Sequence, residues 1–182
     1  MNFNELRKFK DLIILSNFFN AFLNAVLSCL VLVLFSTEIY SRNTCILLGL
    51  TVLFFFMASS LLSAYYYSIN SNKNFFDSFI ISKIETNIYY VLFTIQTIIF
   101  ATFASVSLFV LIMIFSITYF LFLKTIKKFP ADIIFKSFFK ISPIIFGLFF
   151  YSDASDKIFI LILFYALNIF WELFLLLQKN NY

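Results

Sequence analysis

Lys140 and Glu172 are the residues of this sequence best placed to do chemistry, because each is ionisable and each stands inside a long run of Phe, Ile and Leu. A lone charge at the middle of a bilayer costs roughly 2.5 to 3.5 kcal/mol or more, so such residues are kept for a reason. A lysine whose proton affinity falls with burial and rises beside a carboxylate is what a proton relay requires. Lys136 stands one turn before Lys140, and Ser142-Pro143 follows, where the missing amide hydrogen opens the helical ladder. Tyr165, Asn168 and Glu172 share one helical face. If these two segments are antiparallel neighbours, Lys140 lies about 10 Å and Glu172 about 9 Å from the same side, so the two meet at one depth. The plainer alternative has Lys136 snorkelling to the interface while Lys140 and Glu172 form a static bridge.

Asn17, Asn20, Asn24 and Ser28 are spaced to share a second polar face. They either line a hydrated path or bond a neighbouring helix or another subunit. Asn168, Thr94, Gln96 and Thr97 divide between the same two readings. Other chemistries lack their parts. No nucleophile stands with a base, and no glycine-rich loop cradles phosphate. With no histidine, the usual haem and copper ligation is missing. Cys29 and Cys45 have no paired spacing for a metal or redox site and read as inert core residues. No metal and no cofactor bound by this chain is expected.

The elements that must position these residues follow from composition. The chain is 63% hydrophobic and 12% charged, with 30 phenylalanines among 182 residues and a mean hydropathy of +0.99. Soluble domains run near 45–50% apolar and about 25% charged, so lipid must cover this surface. The net charge of +4 sits on no polar surface, which excludes nucleic acid as a partner. Gly and Pro number 2 each, and arginine appears only as Arg7 and Arg42. That bias points to an AT-rich gene, as in organelles and some bacteria, and to helix contacts that are bulky and aromatic rather than small.

The apolar runs predict an all-α, polytopic membrane domain over 1–182 with about six spans, near 12–36, 45–67, 88–101, 105–123, 133–151 and 158–178. The first run is longer than a signal-peptide core and reads as a retained helix. The stretch 88–123 as one helix would measure about 54 Å against a hydrocarbon core of roughly 30 Å, giving five spans. A turn at the small residues Ala101 to Ser105 gives six. With six, Arg7, Lys8, Lys10, Lys73, Lys83, Lys124, Lys127, Lys128 and Lys179 gather on one side, while Arg42 and Lys157 stay on the other. That asymmetry obeys the positive-inside rule.

The stretch from Tyr89-Tyr90 through the hairpin to Ser116-Ile-Thr-Tyr-Phe-Leu-Phe122, then Lys127-Lys128-Phe129 and a span ending Phe146-Gly147 before Tyr151, resembles the antiporter-like subunit two of NADH dehydrogenase, respiratory complex I. The resemblance implies a shortened or split, mitochondrially encoded subunit in the inner membrane, with a proton-path lysine at Lys136 or Lys140. The family's intramembrane glutamate would fall near Ile112, so that charge is absent here. The partners expected are other hydrophobic subunits of a large complex and lipid. Two alternatives stand beside it: a structural subunit of another respiratory complex or ATP synthase, and a stand-alone transporter or channel of a bacterial inner membrane.

Overall fold

The computed structural model describes residues 3–35, 42–70, 75–125, 131–148 and 154–180. Among them are seven α-helices: α1 (Phe3–Leu15), α2 (Phe18–Phe35), α3 (Arg42–Asn70), α4 (Lys83–Ala104), α5 (Val106–Thr125), α6 (Ala131–Leu148) and α7 (Ala154–Asn180), with a 3-10 turn at Phe75–Ser78. The all-α expectation holds. Four of the helices, α2 to α5, contain stretches long and apolar enough to cross a membrane. Lys73, Lys127, Lys128 and the stretch 151–153 lie outside the described residues.

The first apolar run is not one helix from Leu12. Ser16 and Asn17 break it, and Asn17 takes a positive φ of 50°, a left-handed conformation that asparagine tolerates better than most residues. Asn17 therefore leaves the face shared by Asn20 and Asn24. What precedes it, α1, has charged residues on one side and Leu6 and Phe9 exposed on another. Lys8 bridges Glu85 at 2.6 Å, and the Asp11 carboxylate accepts from the Ile80 amide at 2.7 Å. These contacts tie α1 to the segment that opens α4. The hydrogen bond to Glu85 raises the pKa of Lys8 above its ordinary value.

The run 88–123 is two helices. Ser105, extended at φ −170° and ψ 149°, gives its amide to the Ala101 carbonyl to finish α4. Its hydroxyl then accepts from the Leu108 amide at 3.0 Å to start α5. One serine thus closes one helix and caps the next. The arms are longer than expected, because α4 begins at Lys83 rather than Ile88. Ser82 and Glu85 form a reciprocal capping box there. At 22 and 20 residues, the arms measure about 33 and 30 Å, close to the hydrocarbon thickness.

Contacts fix the helix directions. Cys29 lies against Cys45 and Gly49, so α2 and α3 are antiparallel. Phe54 packs on Phe93 and Phe100 while Tyr65 meets Lys83, so α3 and α4 are antiparallel. Tyr66 stands edge-on to Phe120 of α5. Helix α6 runs alongside α2, with Ser28 bonded to the Pro143 carbonyl at 2.8 Å and Gly147 set against the Ser28 carbonyl and Val31. Helix positions of Arg7, Lys8, Lys10, Lys83 and Lys124 consequently fall at one end of the bundle and Arg42 at the other.

Aromatic side chains fill the core, as the scarcity of small residues predicts. Phe146 is fully buried, with its ring 5.5 Å from Phe55 and 5.0 Å from Phe115. Phe115 also stacks on Phe138 at 5.0 Å, and Tyr119 meets Phe139 edge-on at 4.7 Å. Such pairs add about 0.5 to 1.5 kcal/mol each beyond the area they bury. The hydroxyls of Thr51, Ser59, Ser63, Thr94, Thr97, Thr102 and Thr118 each donate to a carbonyl four residues earlier. Self-satisfaction of this kind suits helices surrounded by hydrocarbon.

Candidate functional site

Helix α6 has two halves. From Ile141 to Leu148 nearly every side chain is buried, whereas Ile134, Lys136 and Lys140 are exposed. Between the halves, Pro143 has no amide to give the Phe139 carbonyl, and the Ser142 hydroxyl bonds that carbonyl instead at 2.7 Å. The junction is thus kept helical.

Lys140 and Glu172 form an ion pair, as their spacing suggested, with Glu172 the more buried of the two, 16% of its side chain exposed against 50% for Lys140. A second link joins the same helices, because the Tyr165 hydroxyl donates to the Ile134 carbonyl at 3.3 Å. Lys140 lines a cavity of about 440 Å3 with Asn20, Asn24, Ser59, Ser60, Tyr119 and Asn168, together with Phe55, Phe56 and Phe139. Five helices contribute, so residues far apart in sequence meet at one polar place. The bundle around it is apolar.

Of the residues singled out by sequence, Asn20, Asn24, Lys140 and Asn168 converge on this cavity, and Glu172 joins through its ion pair. Asn168 also donates to the Phe164 carbonyl at 3.0 Å within its own helix. Asn17 sits in the turn between α1 and α2 and does not line the cavity. Lys136 is exposed and does not line it either.

Sequence reasoning passed over Ser59, Ser60 and Tyr119. The Tyr119 hydroxyl shares a hydrogen bond with Ser63. Together with Phe55 and Ser59, Tyr119 also borders a second cavity of about 160 Å3, reached by Tyr90, Thr94, Thr97 and Ser116 of the α4–α5 hairpin. The signal for Ser59 and Ser63 was present as a serine pair at i and i+4 in an apolar run.

Cys29 and Cys45 are free thiols on an apolar cavity of about 460 Å3 between α2 and α3. The Cys29 thiol donates to the Cys45 carbonyl at 3.3 Å. Among the described residues no group of three or more His, Cys, Asp or Glu gathers to hold a metal ion.

Comparisons with protein-family models, with curated proteins and with solved structures find no match. A pocket holds ordered water where each molecule finds two to four polar partners, and Asn20, Asn24, Ser59, Ser60, Tyr119, Lys140 and Asn168 offer them here among three phenylalanine rings. A lysine–carboxylate pair beside water can exchange a proton without leaving a lone charge in hydrocarbon.

Proposed function

We propose that this chain is an integral membrane subunit that supplies a proton path to a larger membrane complex. In this reading α6 and α7 complete six spans with the four long apolar helices. The observation supporting it is the Lys140–Glu172 ion pair, with Lys140 bordering an open pocket where Asn20, Asn24 and Asn168 also meet in an otherwise apolar helical bundle. Asn20, Asn24 and Asn168 orient water there, and Lys140 passes the proton between that water and Glu172.

The finer assignment is a membrane-arm subunit of NADH dehydrogenase in the mitochondrial inner membrane, with a bacterial inner membrane as the alternative. It is supported by the sequence resemblance alone. The composition of the native complex tests it. NADH dehydrogenase core subunits purifying with the chain would support it, and their absence removes it.

The proton role has its own test. The native complex carrying Lys140→Ala or Glu172→Gln is reconstituted into liposomes with an internal pH dye. Expected is a loss of about a hundredfold or more in proton flux with assembly intact, the usual scale for removing a positioned acid or base. Flux from liposomes holding this chain alone would favour the stand-alone transporter.

A second reading has an observation of its own. Tyr165 to Ile134 and Lys140 to Glu172 link the same two helices, as a static staple would. The double variant Lys140→Met, Glu172→Met distinguishes the two. A static staple replaced by apolar contact leaves flux unchanged, and that outcome sinks the proton path.

A further inference from the structure

Helix α1 is too charged to cross a bilayer and carries too many uncovered apolar side chains to suit water. Lys8, Leu12 and Leu15, spaced at four and three residues, share the side turned to the bundle. There Lys8 bridges Glu85, and Leu12 and Leu15 pack with Leu61 and Ile81. That attachment fixes which side of α1 faces outward. On the outer side Leu6, Phe9 and Ile14 are exposed and Ile13 is half-buried. Two basic residues are set among them. Lys10, exposed, stands one turn from both Leu6 and Ile14, and Arg7, also exposed, lies two turns from Ile14 on the same side. Glu5 stands at the far edge, one turn before Phe9.

Position and chemistry together decide what covers this side. Leu15 ends α1 only three residues before Phe18 opens α2, one of the helices long and apolar enough to cross a membrane. Phe19 and Leu23, in the first turns of α2, are exposed. So short a connection keeps α1 at the bilayer surface. Hydrocarbon alone would desolvate Lys10, and water alone would leave Leu6, Phe9 and Ile14 uncovered. The boundary between headgroups and acyl chains suits both, since apolar side chains reach down into it while basic ones snorkel to phosphate. The same end of the bundle holds Lys83 and Lys124, a charge that attracts anionic lipid.

We propose that α1 is an interfacial, lipid-binding helix. Its outer side seats in the leaflet at the cationic end of the bundle, with Leu6, Phe9 and Ile14 among the upper acyl carbons and with Arg7 and Lys10 on the phosphates of anionic phospholipid. The inner side stays on the bundle through Lys8 and through Asp11, which accepts from the Ile80 amide. The inference rests on α2 crossing the bilayer and is independent of Lys140 and Glu172.

The test places a tryptophan on the outer side of the full chain in liposomes, as Phe9→Trp in a Trp171→Phe background, where it is the single tryptophan. Its emission is expected to be quenched by lipids brominated just below the headgroup and shielded from aqueous iodide. Quenching by iodide with no response to brominated lipid overturns the proposal. Amide hydrogen exchange of α1 reads the phosphate contact. It is expected to be slower with phosphatidylserine present than in phosphatidylcholine alone, by about fivefold for each of the two basic residues. Joint Arg7→Gln and Lys10→Gln substitution abolishes that difference, and a difference that survives the substitution overturns the proposal. In native membranes a photo-crosslinker at position 9 is expected to capture lipid. Adducts with protein alone overturn the proposal and make this side a subunit contact.

Discussion

Two serines one and a half turns apart on α6 should respond to the same substitution with opposite signs. Ser142 is fully buried, and its hydroxyl satisfies the Phe139 carbonyl that Pro143 leaves without an amide. Ser142→Ala strands that carbonyl. An orphaned buried acceptor costs about 1 to 3 kcal/mol, and hydrogen bonds between membrane side chains average near 0.6 with a maximum of about 1.7 kcal/mol. A loss of about 1 to 1.5 kcal/mol is expected. Ser137 is equally buried, but its hydroxyl has no partner among the described residues. Ser137→Ala removes a desolvated group and leaves a void of a single oxygen, worth only about 0.2 kcal/mol at 24 cal/mol per Å3, so a gain of about 0.5 to 1 kcal/mol is expected. Unfolding by SDS titration of the detergent-solubilised protein, followed by circular dichroism and by the fluorescence of Trp171, the single tryptophan, reads both. Two changes of the same sign, or a Ser142→Ala variant as stable as wild type, would refute the account of the proline junction.

Gly147→Ala should destabilise the α2–α6 contact by about 1 to 3 kcal/mol in the same titration, because an added Cβ would stand 2.5 Å from the Ser28 carbonyl oxygen and 2.7 Å from the Val31 Cβ. Gly49→Ala, whose added Cβ meets only the Cys29 thiol at 3.1 Å, should cost less. The attachment of α1 should respond to pH only at the extremes, and at the acid end the Glu85 carboxyl, held down at about 2 by the hydrogen bond from Lys8, gives up the pair only as pH falls through that value. Lys8 has its pKa raised above 10.5 by the hydrogen bond to Glu85, so the stabilisation is fully present below the ordinary lysine value and is lost as pH rises through the raised one. Amide hydrogen exchange of α1 corrected for intrinsic rates, flat from pH 6 to 9 in wild type and faster in Glu85→Gln, checks it.

How much was legible in the sequence depended on whether the signal was local. The run 88–123 could be divided correctly because its length is incompatible with one crossing and Ser105 lies at its small-residue centre. The start of α4 was equally local and was still missed, since Ser82-x-x-Glu85 lies outside the apolar run that drew the boundary. Asn17 failed for the opposite reason. Its spacing with Asn20 and Asn24 fits one helical face, but a helical face exists only where the helix is continuous, and a left-handed residue ends it. Lys140 and Glu172 could be paired from their positions in adjacent apolar runs. Tyr119 could not, because nothing in its own segment indicates that α5 helps to close the cavity lined by α6, and the Ser59–Ser63 pair marks a polar face of α3 without showing what that face meets.

Helix α6 shows why hydropathy alone undervalues the segment that matters most. Asp132, Lys136 and Lys140 keep it from ranking with the long apolar helices, yet its second half is among the most buried parts of the chain. The packing explains how both are true. Phe146 is wedged between Phe55 and Phe115, Gly147 lets α2 approach closely, and Ser28 clasps the Pro143 carbonyl. These contacts hold α6 in place from its apolar half, so its polar half need not be favoured by lipid. Lys140, half exposed beside the cavity, is then presented there by a helix anchored from its other half. Cost and compensation thus sit on the same helix, a few residues apart. It follows that damage to the apolar half, as in Gly147→Ala, should disturb the Lys140–Glu172 pair without touching either residue.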